Sequence, residues 1–363
     1  MAVLAGVIPG AVARGDSQVD FKPGLVLGGG YDDNLLFNGQ GGDALGEVGG
    51  LVDLKAWERR YNLELHLGLY AYGFLQHEQI APLGESTLNF TGDITRLDTF
   101  RARVKVRGSD DPLGLAQLGL LNVHGNVLGY RTGSEFEHLF DERTSLAALF
   151  NVDGIGFLTP TYTSESGEAF TVGMEPRYRF TRDITGEVSV QERNFFGLTL
   201  EGISVAALPG VRYTIMRHLY AEGDIGPALF HNTEENTPLP IGHALLEYDD
   251  HTWGARLTAS QDLAVPTGRS GVLLMDLVET TVRYGDNNWE FRVRGGYYRS
   301  LASPTASLWE PGYGAQVEAY RKLGDFTWIG FRAVRFQNIA TPYQQPTAED
   351  AIYAQITLTK ARP

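Results

Sequence analysis

The chain has 363 residues, no cysteine, 44 glycines, 17 tyrosines and 18 phenylalanines, and a formal net charge of −14. Without cysteine there is no disulfide, thiolate or Cys-zinc chemistry, and the acidic balance argues against a general nucleic-acid binder, which carries a basic footprint. No run approaches ~18 consecutive apolar residues, which excludes a transmembrane helix but not a transmembrane barrel, whose lipid face is hidden in alternation.

Ala2 to Val12 is small and apolar, and Ala11-Val12-Ala13 before Arg14 has the small-x-small form of a signal-peptidase site. The charged region that opens a signal peptide is missing. Residues 1–13 are therefore expected to be a truncated signal peptide, and 14–363 a single outer-membrane barrel domain. Val19, Phe21, Pro23, Leu25 and Leu27 alternate along a first strand that ends in Gly28-Gly29-Gly30. A glycine-rich loop spans Tyr31 to Asp43. The chain returns with Val48, Gly50, Val52, Leu54 and Ala56 on one face and turns at Glu58-Arg59-Arg60. Tyr61, Leu63, Leu65, Leu67, Leu69 and Ala71 then oppose Asn62, Glu64, His66, Tyr70 and Tyr72, the longest clean alternation in the chain.

A loop is expected over His77 to Glu85, a weaker strand over Ser86 to Ile94, and a turn at Thr95 to Asp98. Beyond it Phe100, Ala102, Val104 and Val106 alternate with Arg101, Arg103, Lys105 and Arg107. Ser109 to Val123 reads as the longest loop. Strands follow over Asn126 to Phe140 and Arg143 to Asp153. The strictest hairpin is Ala169 to Val190, in which Phe170, Val172, Met174, Pro176, Tyr178 and Phe180 oppose Thr171, Gly173, Glu175, Arg177 and Arg179.

The second half repeats the pattern: Ile203 to Ile215, Leu219 to Phe230, Ala244 to Tyr248, Trp253 to Leu263, Val272 to Tyr284, Trp289 to Arg299, Tyr313 to Tyr320, Phe326 to Phe336 and Ala351 to Thr359. Alternation breaks at Met275 to Val278, and Arg332 and Arg335 fall on opposite faces; β-bulges would repair both.

Strands of about 9–11 residues suit a tilted crossing of a bilayer. Short charged turns alternate with longer polar loops, as in outer-membrane barrels. The fold expected is all-β: a transmembrane antiparallel up-and-down barrel of about 18 strands, with both termini on the periplasmic side. A propeller is excluded by two long strands per repeat of roughly 38 residues, where a blade holds four short ones. Facing Arg101 to Arg107 toward lipid would cost about 2–4 kcal/mol for each residue near the midplane, so this row must line the interior.

A glycine-rich first strand closing in Tyr31-Asp32-Asp33-Asn34, followed by hairpins to the C-terminus, resembles the outer-membrane β-barrel porins of proteobacteria. More narrowly, it is similar to myxobacterial barrels that accompany Wzx/Wzy-type exopolysaccharide assembly. The resemblance covers the whole chain in style and implies an outer-membrane pore, with polysaccharide export in some members. Such barrels commonly end in a terminal aromatic residue, whereas this chain ends Lys360-Ala361-Arg362-Pro363.

Arg101, Arg103, Lys105 and Arg107 are the sharpest local feature, with Arg131 on the next strand and Arg177, Arg179, Arg292 and Arg294 elsewhere on the wall. One reading is a cationic stripe that draws an anionic solute through the lumen. The other is a lattice of salt bridges, since Glu135, Glu137, Glu175, Glu187, Glu222, Asp224 and Glu290 also point inward. Glu247 and Asp249 near His243 are the one acid/His grouping. No metal spacing, Gly-x-Ser-x-Gly elbow or phosphate loop is present. Trp57, Tyr70, Tyr72, Tyr297 and Tyr298 suit interfacial belts, though parity turns some inward. The glycine clusters suit bends and close backbone approach.

The function expected is a non-enzymatic pore for polysaccharide or small hydrophilic solutes, with no cofactor. Its partners would be outer-membrane lipid, the solute and periplasmic export components. The alternatives are a plugged structural or surface-interaction barrel and a barrel-embedded hydrolase. Loops 109–123 and 31–43 are expected to narrow the mouth.

Overall fold

The computed structural model describes residues 18–33, 42–75, 80–109, 127–157, 167–197, 201–232, 236–265, 272–301, 309–338 and 347–359. The expected signal peptide, the C-terminal four residues, most of the expected loop 109–123 and part of the loop 31–43 lie outside these residues. The strands are β1 Gln18–Asp32, β2 Asp43–Glu58, β3 Tyr61–Phe74, β4 Ile80–Asp93, β5 Asp98–Ser109 and β6 Val127–Leu139. They continue as β7 Thr144–Phe157, β8 Gly167–Arg179, β9 Ile184–Gly197, β10 Glu201–Met216, β11 Leu219–His231 and β12 Asn236–Asp249. The last six are β13 Trp253–Ala264, β14 Leu273–Gly285, β15 Trp289–Leu301, β16 Trp309–Lys322, β17 Thr327–Asn338 and β18 Thr347–Thr359.

Every strand pairs antiparallel with its sequence neighbours, and β18 pairs with β1 from Gly24↔Thr359 to Asp32↔Ala351, closing the sheet. Carried pair by pair round the wall, the register returns to β1 displaced by about 22 residues; with 18 strands this shear sets a tilt of about 40° and a backbone radius of about 17 Å. Connections at one rim are only two to four residues long, and β1 starts and β18 ends at that same rim.

The alternation resolves into an apolar outer face and a polar inner face. Along β8, Val172, Met174, Tyr178 and Phe180 are exposed, while Ala169, Thr171, Glu175 and Arg177 are buried. A soluble sheet would reverse this. Exposed outer aromatics gather near the short-turn rim as Phe140, Tyr178, Phe180, Trp253, Trp289 and Phe326, and toward the other end as Tyr31, Phe196, Tyr297 and Tyr313. Phe170 on β8 and Phe180, the first residue after it, are ten residues apart, about 25 Å at this rise and tilt, which matches the height of a barrel's lipid band. Tyr72 and Tyr298 are buried on the inner face instead of joining these belts.

Three expectations need correction. Strand β12 begins at Asn236, eight residues before Ala244. Pro238 and Pro240 hid it, yet Pro240 faces Pro227 in the register, so two donor-less residues coincide. Strand β4 begins at Ile80, inside the expected loop 77–85. Finally, neither expected bulge exists: β14 and β17 pair without a break, and the register shift lies at Thr214/Met216 in β10. Arg335 simply faces outward toward the longer-loop end, bonded to Asp350 at 3.2 Å.

Candidate solute path in the lumen

Near the short-turn rim the inner wall carries a continuous ionic belt. Arg101 of β5 meets Glu135 (2.5 Å) and Glu137 (2.9 Å) of β6. Arg177 of β8 reaches over β7 to the same two carboxylates, each at 3.1 Å, and holds Glu175 at 2.5 Å and Glu187 at 3.9 Å. It crosses β7 at Ala147, which stands between Glu137 and Glu175 in the register and is fully buried. Only a side chain this small leaves the passage open. Arg212 of β10 continues the belt to Glu187 (2.8 Å), Glu222 (3.3 Å) and Glu175 (3.4 Å). Farther round, Arg292 is held by Glu290 and Glu318 at 3.0 and 2.9 Å.

A second bridge crosses the mouth. Arg193 of β9 contacts Asp262 of β13 at 3.1 Å and donates to the Leu263 carbonyl at 2.6 Å, although β10, β11 and β12 intervene. Four strand steps of about 4.8 Å exceed what these side chains span along a round wall. The mouth ends of β13 and β14 therefore bend into the lumen. Alternation assigns Leu263 and Leu274 to the outer face, yet they are 2% and 5% exposed. With Val265, Val272 and Leu301 they pack against Ala169, Phe195, Phe230 and Leu239. The phase break at Met275 to Val278 marks this departure from the wall. Asp153 holds Arg193 at 3.3 Å and Arg131 at 2.6 Å, and His243 links Asp224 (2.9 Å) to Asp262 (3.7 Å).

The acid/His grouping is thus differently composed from the one expected. Glu247 takes the Tyr220 hydroxyl and lies 3.6 Å from Arg256, and Asp249 binds Arg283, so neither serves His243.

A third crossing closes over the glycines of β1. Arg332 of β17 stacks on Tyr353 at 4.2 Å and reaches the Tyr72 hydroxyl of β3 at 3.4 Å; Tyr72 in turn donates to Glu47. A Cβ at Gly28 would stand 2.8 Å from Glu47, and one at Gly30 would stand 2.9 Å from the Tyr353 ring. The cluster allows close approach, as its composition suggested.

The nine basic residues singled out from the sequence therefore divide. Arg101, Arg131, Arg177 and Arg292 belong to the salt-bridge lattice. Arg103, Lys105, Arg179 and Arg294 take part in no ion pair among the described residues. Arg107 sits beside Lys105 and has contacts of its own. Arg179 lies at the short-turn rim, apart from the rest. Lys105 of β5 and Arg294 of β15 come from different sides of the wall, yet each feels Glu85 and Arg107, and Lys105 also feels Arg294. Glu279 of β14 lies within electrostatic range of Arg294, Lys105, Arg256 and Arg131. The barrel is pinched here, with unpaired cations on facing walls.

On the inner face of β10, β11 and β12, Ala206, Leu208, Ala228 and Ile241 form a buried apolar patch, with Asp224 and His243 on the short-turn side of it. Sequence reasoning missed Arg193, Asp262 and Asp153: only the inward bend of β13 brings Asp262 to Arg193, and Asp153 reaches Arg193 from two strands away.

No protein-family model and no curated protein matches the chain. Among solved structures it is similar to Pseudomonas aeruginosa OccK2 (OpdF) in complex with glucuronate, with 10% identity, a TM-score of 0.46, and coverage of 94% of this chain and 99% of that one. It is also similar to Pseudomonas aeruginosa OpdO (11%, 0.47, 95% and 97%) and Acinetobacter baumannii OccAB2 (9%, 0.44, 95% and 98%).

Proposed function

We propose that the protein is an integral outer-membrane barrel that conducts small anionic solutes, with its short turns and both ends of the described chain on the periplasmic side. The apolar outer face with its two aromatic zones supports the membrane setting. The observation that carries the solute class is the set of inward cations without ion pairs, Arg103, Lys105 and Arg294, at the pinch. In a low-dielectric wall such charges raise the local concentration of anions, and a carboxylate or phosphate meets donors no protein acid has claimed. Neighbouring Glu85 and Glu279 keep the site from holding an anion too tightly to release it, as conduction requires.

Small solutes fit better than a polysaccharide. A polymer needs an uninterrupted bore, and the hydrophobic cluster built on β13 and β14 occupies part of the mouth. Periplasmic export partners belong to the polymer reading and share its weakness. A hydrolase built on His243 is disfavoured because its carboxylate partners, Asp224 and Asp262, tie strands together.

Planar-bilayer recording tests the proposal. The wild-type barrel should give steady single-channel current with anion preference, and Arg103→Glu with Lys105→Glu should move the reversal potential toward cations. No steady current would favour a plugged barrel, and an unmoved reversal potential would remove these residues from the path.

A further inference from the structure

We infer that the short-turn rim carries a binding site for an anionic phospholipid of the surrounding bilayer, centred between the first two turns; this rests on the membrane reading above. A hollow of about 450 Å³ opens on the outer face there. Its walls are of two kinds. Phe90 and Phe100, Ile94 and the Tyr61 ring supply apolar surface suited to an acyl chain, and Arg59 and Arg60 stand beside them at the level of a headgroup. Gly92 lies between, with the Phe90 ring folded against it.

Two acids, Glu58 and Asp93, also border the hollow, and Asp93 accepts the Thr99 hydroxyl at 3.2 Å. Arg59 and Arg60 are exposed and take part in no ion pair among the described residues, and the same holds for Arg96 on the next turn. A phosphate diester offers the bidentate partner these guanidiniums lack.

The hollow also has a setting. Going round the rim, each of the first five turns joins an exposed apolar residue to an exposed arginine without an ion pair. These are Tyr61 with Arg59 and Arg60, Ile94 with Arg96, Phe140 with Arg143, Phe180 with Arg182, and Met216 with Arg217. The last three turns carry no such arginine within them; acids occur in both sets, as Asp141, Glu142 and Asp183 in the first five and Asp250, Asp286 and Asp325 in the last three. The first five turns thus place arginines within the turn itself, beside apolar anchors suited to the acyl region, whereas at the last turns the nearest exposed arginine, Arg321, is stacked on the Trp289 ring.

Native mass spectrometry of the full barrel released from nanodiscs of mixed phosphatidylglycerol and phosphatidylcholine tests this. Phosphatidylglycerol should be retained preferentially, one molecule per barrel at the highest occupancy. Arg59→Gln and Arg60→Gln should each lower that retention about fivefold, the effect expected of one cation at a lipid surface. Arg321→Gln, which removes a cation from the other half of the rim, should leave it unchanged. The gel mobility of unheated samples identifies folded variants, and the two single variants decide the matter if the double variant does not fold. Equal retention of both lipids, retention unaffected by Arg59→Gln and Arg60→Gln, or preferential retention of lipopolysaccharide or an acidic peptide would overturn the site. A chain that stays soluble without detergent would instead overturn the membrane reading itself.

Discussion

Removing Arg177 should damage the barrel far more than removing Arg101, although both arginines bind the same pair of glutamates. The Arg177 side chain is 7% exposed and holds together Glu135, Glu137, Glu175 and Glu187, whereas Arg101 is 45% exposed and has water to replace its bonds. Arg177→Ala leaves the inward carboxylates of β6, β8 and β9 with no buried cation between them. Breaking a buried pair by removing one partner costs about 3–5 kcal/mol. Arg101→Ala loses an exposed pair, worth about 0–1 kcal/mol. Ala147→Leu should mimic the larger loss with every charge retained, because it obstructs the passage over β7. Urea unfolding of the detergent-solubilised barrel, followed by tryptophan fluorescence and by gel mobility without heating, reads all three. Equal destabilisation by Arg177→Ala and Arg101→Ala would refute the view that burial decides which bridges hold the wall.

Three further outcomes follow from the same geometry. Arg193→Gln should free the inward end of β13 and raise single-channel conductance or its fluctuation; identical traces would mean that the Asp262 contact does not hold the mouth. Asp250, in the turn after β12, accepts bonds from the Trp253 N–H, the Tyr248 hydroxyl and the Thr252 N–H, which hold its carboxyl down to about 2 from an ordinary 3.8. A carboxyl depressed on folding adds stability above its unfolded value and loses it as pH falls toward the folded one, so the melting difference between wild type and Asp250→Asn should shrink from pH ~4 to pH ~2; a constant difference contradicts it. Arg294→Glu, on the wall across from Lys105, should reduce anion preference as Lys105→Glu does; an effect from only one of them would mean that the pinch is not shared.

The strand count and the two faces were legible because a barrel wall has one rule, period two, repeated on every strand from Val19 to Leu358. Where the chain obeys that rule, as in Phe170 to Phe180, parity alone assigns inside and outside. Legibility fails where a strand leaves the wall. Met275 to Val278 broke phase, and a bulge was the economical repair, but the cause is that β13 and β14 bend inward and bury Leu263 and Leu274. Among the basic residues, sequence showed which side chains face the lumen but not which are neutralised. That depends on partners two or more strands away, such as Glu135 for Arg177 and Asp262 for Arg193, and on a small residue, Ala147, whose role is to be absent from the way.

The outward direction of the greasy side chains underlies all of this, and the absence of cysteine makes it measurable one position at a time. Single cysteines placed from Phe170→Cys to Tyr178→Cys, spin-labelled in liposomes, should alternate strictly. Labels at 170, 172, 174 and 178 should relax with membrane-dissolved oxygen, and those at 171, 173, 175 and 177 with a water-soluble nickel chelate. The opposite phase, or labels at 170 to 178 that meet neither reagent, would contradict a lipid-facing row around a wet lumen.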